Sequence, residues 1–228
     1  MTPETTNQIT RLEAFFYGGL AVTILLGLWM AIVADVEVFQ TYITTEDGVL
    51  ESFTSFMLFV TFALCVTRMV KLRASRSGWF LATTGLIAFL MFFGAGEEIS
   101  WGQRVFGWET GETFQQMNRQ GETNLHNLEI NGVNINKVIF GQGLTLFLIL
   151  YYLVLPQLYM RKPRFAAFFD RLYVPVPKVH HGLTTLAAGL IITSVASSKR
   201  GELNEVWLGC MFFMTVYRPQ NCLKIYKP

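Results

Sequence analysis

From Ala14 to Ala34 the chain carries no charged side chain. An α-helix needs about 20 largely apolar residues to cross a hydrocarbon core of roughly 30 Å, and in lipid each backbone polar group must be satisfied by the protein itself. The run therefore predicts a membrane-spanning helix, and the pattern recurs. Phe53 to Val70 and Trp79 to Gly96 form a second and a third span, joined by the basic turn Lys71-Leu72-Arg73-Ala74-Ser75-Arg76. Arg68 can snorkel at its end of the second span, and Trp79 is placed as an interfacial aromatic. Val138 to Tyr159 is the fourth span, closed by Pro156 and by Arg161, Lys162 and Arg164. A fifth runs from about Gly182 to Ser198. The sixth, Val206 to Tyr217, offers about a dozen apolar residues where roughly 17 are usual, so it begins within Glu202–Glu205, tilts or is truncated. The predicted fold class is all-α: one polytopic membrane helix bundle of about six transmembrane helices over residues 1–228, with a structured external loop at 97–137.

Composition agrees: 52% of residues are apolar and 15% charged, too few polar groups to wrap a soluble domain of this size. A net charge of +2 argues against a nucleic-acid binder. Cys65, Cys210 and Cys222 lie in or beside apolar segments without a CxxC pair, which supports neither a disulfide framework nor a thiolate zinc site. The polar N-terminus, with Glu4, Arg11 and Glu13, lacks the basic n-region and cleavage site of a secretory signal, so the first span reads as a retained anchor.

Loop charges predict the orientation, because Lys and Arg are held on the cytoplasmic side. With the N-terminus inside and six spans, the inner face holds Arg11, Arg68, Lys71, Arg73, Arg76, Arg161, Lys162, Arg164, Arg171, Lys178, Arg218, Lys224 and Lys227. The outer face holds Arg104, Arg119, Lys137, Lys199 and Arg200. The acids divide the opposite way, with Glu4, Glu13 and Asp170 alone inside. Both termini are expected in the cytoplasm.

Two connections are long. The inner one, Met160 to Val179, sets Phe165, Phe168, Phe169, Leu172 and Tyr173 beside Arg164 and Arg171, which reads as an amphipathic stretch on an anionic leaflet. The outer one, Glu97 to Lys137, is long enough to have its own structure or function.

Candidate chemistry collects in that outer loop. The third span runs into Glu97 and Glu98, and carboxylates at a helix end near lipid usually face a cavity or a partner. If the helix continues, Glu97, Ser100, Trp101 and Arg104 share one face, with Arg104 as the counter-ion of Glu97 and Glu98 looking elsewhere. Gly94 and Gly96 allow close helix packing just below. Glu122 and His126 stand four apart, which on a helix puts both within reach of one ion or proton, and Asn124 and Asn127 add amide groups. Glu97, Glu98, Arg104, Glu122 and His126 are thus the catalytic candidates. Trp101, Gln103, Asn124 and Asn127 are the binding candidates, and Glu98, Glu122 and His126 could hold a divalent, zinc-like metal.

Plainer readings stand beside these. Glu97 and Glu98 can simply end a helix in water, His126 can be a hydrogen-bonding group, and Trp101, Phe106, Trp108 and Phe114 can form an interfacial belt. Glu46-Asp47-Gly48 and Glu51 read as an acidic turn into the second span that could also bring carboxylates to the outer site. His180 and His181 read as an interfacial pair, a bilayer away from His126.

Three segments carry a resemblance: Thr45-Glu46-Asp47-Gly48-Val49-Leu50-Glu51, the run from Gly96-Glu97-Glu98-Ile99-Ser100-Trp101-Gly102-Gln103-Arg104 to Thr110, and Gly121-Glu122-Thr123-Asn124-Leu125-His126-Asn127. In them the chain resembles a family of uncharacterised bacterial polytopic inner-membrane proteins, over about the first 160 residues. The resemblance implies a bacterial inner-membrane location with distinctive residues on the external face, and it carries over no activity. A looser analogy is to membrane hydrolases of the alkaline ceramidase type, from which this chain departs because they use a late H-x-x-x-H pair where it has adjacent His180 and His181.

Two functions follow as expectations. One is a membrane-embedded, metal-dependent enzyme acting on a lipid or lipid-linked substrate at the outer interface, with Glu98 or Glu122 as base or ligand and Arg104 as an anion clamp. The other is a non-catalytic scaffold or subunit, in which the same residues form a buried network that locks the loop onto the bundle. A small transporter ranks below it, since the spans show few polar breaks beyond Gln142. The expected partners are membrane lipids and other membrane proteins or a second copy, not nucleic acid.

Overall fold

Thr10 and Glu13 start the first helix by capping each other: the Glu13 amide donates to Thr10 Oγ1 at 3.2 Å, and the Thr10 amide donates to Glu13 Oε2 at 2.7 Å. This reciprocal box satisfies two donors that a helix N-terminus otherwise leaves unpaired. In the computed structural model, which describes residues 8–29, 48–118, 121–125, 127–130, 133–134, 141–194 and 200–227, helix α1 then covers Arg11–Trp29. Helix α2, Val49–Leu72, has Glu51 in its first turn and Lys71 in its last, the signs that its macrodipole favours. Helix α3 is Gly78–Glu98. The outer segment contributes two short helices, α4 (Gln103–Phe106) and α5 (Glu112–Met117), and a two-residue antiparallel ladder of β1 (Glu129–Ile130) with β2 (Val133–Asn134). Helix α6, Gly141–Arg161, is followed by α7 (Pro163–Arg171), α8 (Val179–Thr193), α9 (Gly201–Tyr217) and the short α10 (Cys222–Ile225).

Among the described residues, α1, α2, α3 and α6 are long and apolar enough to cross a membrane, and α8 is a shorter apolar helix. The protein is thus a helical bundle with the apolar helices of a membrane protein. The helices overrun several expected bounds: α2 and α3 extend past 53–70 and 79–96, and α9 begins at Gly201 rather than Val206. The last residues of the expected first and fifth spans and the first three of the fourth lie outside the described residues.

Helix α9, the most doubtful span in the sequence, is the hub of the bundle. It packs on α2, α8 and α1, and Leu203, Val206, Trp207, Cys210, Met211 and Met214 are all buried in the main core. A helix enclosed by protein has no lipid to match, so its apolar run can be short. Leu20, Ile24, Met57, Tyr152, Ala188 and Ile192 complete that core from four neighbouring helices.

Helix α6 contains a π-helical stretch at Ile149–Val154, directly before Pro156. Proline has no N–H and its ring collides with the carbonyl four residues earlier, here Tyr152. That carbonyl is covered by the neighbouring helix: a Cβ built on Gly182 of α8 would fall on Tyr152 O. Only a glycine lets the two backbones approach this closely.

Contacts fix how the helices alternate. Glu13 at the start of α1 meets Lys178 and His181 at the start of α8, and Thr83 early in α3 donates to Leu172 O just after α7. At the same end, Arg68 late in α2 donates to Tyr217 O at the close of α9 and lies 3.6 Å over the Tyr226 ring. This end gathers the basic segments, and its acids among the described residues, Glu13 and Asp170, are bonded to Lys178 and Lys224. The opposite end carries Glu51, Glu97, Glu98, Glu202 and Glu205.

Candidate functional site

Carboxylates at a helix C-terminus oppose the macrodipole, so Glu97 and Glu98 at the end of α3 require compensation. The chain supplies it by reversing direction at once. Ser100, Trp101 and Gly102 have φ of 45°, 56° and 75°, three consecutive residues in a region that L side chains rarely adopt. This turn ends α3 at Glu98, so the continuous helical face expected for Glu97, Ser100, Trp101 and Arg104 does not form. It instead folds Trp101 back over Gly96, where a Cβ would lie 2.7 Å from the indole. The indole packs edge-on against Phe92 and Phe93 and donates from Nε1 to Glu97 Oε1 at 2.9 Å. Gly96 thus makes room for the tryptophan of the turn that follows its helix rather than for a neighbouring helix.

The loop closes on this turn through polar contacts. Leu125 N donates to Glu97 Oε2 at 2.6 Å. Glu122 Oε2 accepts from the Ser100 hydroxyl and, at 3.0 Å, from Asn124 Nδ2. Asn124 Nδ2 also donates to Ser100 Oγ, while Asn124 Oδ1 accepts from Asn118 Nδ2 and from Asn127 N. Asn118 Oδ1 accepts from the Glu122 amide. Gln103 ties the rim, accepting from Thr123 N at 3.0 Å and donating to Thr110 Oγ1. Glu97, Ser100, Asn118, Glu122 and Asn124 are all buried, as such groups can be only when hydrogen-bonded.

Of the expected site residues, the structure therefore unites Glu97, Trp101, Gln103, Glu122, Asn124 and Asn127. Residues 121–125 are not helical, which removes the helical spacing proposed for Glu122 and His126. His126 and the side chain of Arg104 lie outside the described residues. Glu98, the last residue of α3, feels the charges of Glu202, Glu51 and Glu97. Asn118 is a member of the network that the sequence did not single out, and Ser100, expected on a face with Glu97, bonds instead to Glu122 and Asn124.

A second polar centre lies at the opposite end. Lys178 Nζ donates to Glu13 Oε1 and Oε2 at 2.8 and 2.9 Å and to Gln8 O at 3.2 Å. His181 Nε2 lies 3.0 Å from Glu13 Oε1 and its Nδ1 lies 3.1 Å from Thr215 Oγ1. Lys178 and His181 are 1% and 0% exposed, so the expected interfacial histidine pair is instead half of a buried tie between α1, α8 and α9. His180 pairs with Tyr17 at 2.7 Å. Glu13, His180 and His181 place ligand-type atoms within 4.8 Å of one another, a zinc-like set by chemistry. The Glu13 carboxylate, however, already accepts from Lys178, His181 and the Thr10 amide, and its cation is the lysine. Sequence spacing could not reveal this centre, since its partners stand 165 positions apart.

No family model, curated protein or solved structure matches this chain.

Proposed function

We propose that this is a non-catalytic membrane component, a scaffold or subunit of a larger bacterial inner-membrane assembly with both termini cytoplasmic, and that its outer loop is a fixed docking cap. One observation carries the reading: both oxygens of Glu97 and one of Glu122 already accept from inside the cap. Carboxylates committed this way are poor bases and poor ligands, and they make good locks. The family resemblance supplies the bacterial setting, and the separation of basic and acidic ends supports the orientation.

Glu97→Gln tests the lock. An amide offers one acceptor oxygen and one donor NH₂, so either the Trp101 indole or the Leu125 amide loses its acceptor, a loss of about 1–3 kcal/mol. Glu122→Gln is milder, because one amide oxygen can still accept from both Ser100 and Asn124. The expected result is a lower unfolding temperature in detergent and protease cleavage between α3 and α6, larger for Glu97→Gln. Native mass spectrometry of gently extracted wild type should also show a second chain or copy. Unchanged stability in both variants, or a solitary wild-type chain, would overturn the proposal.

A second reading keeps one specific support. The charges of Glu202, Glu51 and Glu97 act on Glu98, a concentration of acid that a metal-dependent enzyme acting on a lipid-linked substrate at the outer interface would use, although among the described residues no three of these carboxylates lie close enough to hold one ion. Near-stoichiometric zinc, iron or manganese in the wild type, lost in Glu98→Gln and His126→Ala proteins that unfold normally, would favour it.

A further inference from the structure

The basic turn between α2 and α3 and the amphipathic helix α7 are far apart in sequence, and the fold joins them. Thr83 Oγ1 donates to Leu172 O at 2.6 Å, and the Phe80 ring stands edge-on to Tyr173 at 5.4 Å. The Arg76 guanidinium lies 5.7 Å from the Tyr173 ring centre. Hydrogen bonding to Ser77 and to the Arg76 side chain, together with the Arg76 charge, holds the Tyr173 phenol below its ordinary range. Helix α7 is held at a set angle, because Asp170 accepts from Tyr159 and Asn221 and pairs with Lys224 at 2.9 Å.

At this junction Arg76 presents an unfinished contact. Its Nε and Nη2 are both buried and lack a hydrogen-bond partner among the described residues. These two nitrogens form one edge of the guanidinium, the fork that takes a carboxylate or a phosphate through two parallel hydrogen bonds. A buried cationic donor pair without an acceptor is costly. The acids at this end do not supply one, since Glu13 is bonded to Lys178 and Asp170 to Lys224. Arg73, three residues before Arg76 in the same turn, and Arg164 and Arg171 of α7 are exposed and add positive potential to this end. Phe165 and Phe168 of α7 are 47% and 56% exposed, apolar rings suited to the acyl side of an interface.

We propose that the Arg76 fork binds the phosphodiester of an anionic phospholipid from the adjoining leaflet, with Arg73 and Arg164 as flanking charges and the α7 phenylalanines beside its acyl chains. Both fork nitrogens are enclosed in the present conformation, so binding in this proposal requires the exposed turn at Arg73, Ala74 and Ser75 to shift. Phosphate chemistry alone would also suit a soluble anion. The exposed rings commit the site to lipid.

The test adds phosphatidylglycerol, phosphatidylcholine or inorganic phosphate to the detergent-solubilised full chain. Bound lipid is counted by native mass spectrometry and the unfolding temperature is recorded. The expected result is retention of phosphatidylglycerol over phosphatidylcholine with a matching thermal shift, and at least tenfold weaker retention in Arg76→Gln. Arg76→Lys, which keeps the charge but not the fork, should fall between and serves if Arg76→Gln does not fold. Equal retention of both lipids, or undiminished phosphatidylglycerol binding in the Arg76 variants, would overturn the site. An equal thermal shift from inorganic phosphate would overturn its assignment to lipid.

Discussion

Lys178→Met is expected to lower the unfolding free energy by about 3–5 kcal/mol, the usual penalty for removing one partner of a buried ion pair. Among the described residues the lysine is the one cation that contacts both oxygens of Glu13, and both side chains are almost fully enclosed. Without it a carboxylate is left buried against His181. Glu13→Gln should cost a similar amount, because the ammonium then loses its anion, while the amide oxygen can still accept from the Thr10 N–H. The double variant Glu13→Gln/Lys178→Met removes both charges, and it should recover a substantial part of the loss. Denaturant titration in mixed micelles measures all four proteins. Single variants within 0.5 kcal/mol of wild type, a difference on the scale of an ordinary surface substitution, would show that the tie between α1 and α8 contributes little.

Gly182→Ala should be nearly as damaging, for a steric reason. Its methyl group would lie 2.1 Å from the Tyr152 carbonyl oxygen, and because a backbone atom cannot swing aside, α6 and α8 must separate. Overpacking of this kind costs about 1–3 kcal/mol, and more when backbone must move. Gly189 in the same helix is the control, since nothing lies within 4 Å of a Cβ built there. Gly189→Ala should be neutral or stabilising by up to about 1 kcal/mol. Equal unfolding temperatures for the two variants would rule out a close α6–α8 contact.

Apolar run length announced the helices well, because a spanning helix must satisfy its own backbone and its length is set by the bilayer. It gave α9 only about a dozen apolar residues, and α9 is not among the described helices long and apolar enough to cross a membrane; its buried residues are matched to the protein core. The outer site was legible in part. Glu97 and Glu122 drew notice as costly carboxylates, yet the direction of the chain after Ile99 depends on three left-handed residues, of which only Gly102 advertises itself. Helical spacing was therefore the wrong ruler for Ser100 and Trp101. The Glu13–Lys178–His181 centre left a single local trace, the Thr-x-x-Glu box at Thr10, whose acid also serves a distant lysine. The rest depends on topology, which brings the first turns of α1 and α8 together.

The separation of charge between the two ends has an electrical consequence. An energised membrane acts on each elementary charge with about 2.3 kcal/mol per 100 mV. Turning the bundle over would carry the unpaired guanidinium and ammonium groups of one end outward and the glutamates of the other inward, and every one of those transfers would be uphill against an inside-negative voltage. With the basic end in the cytoplasm, as proposed above, an inside-negative voltage would add to the bilayer in holding the chain in that orientation.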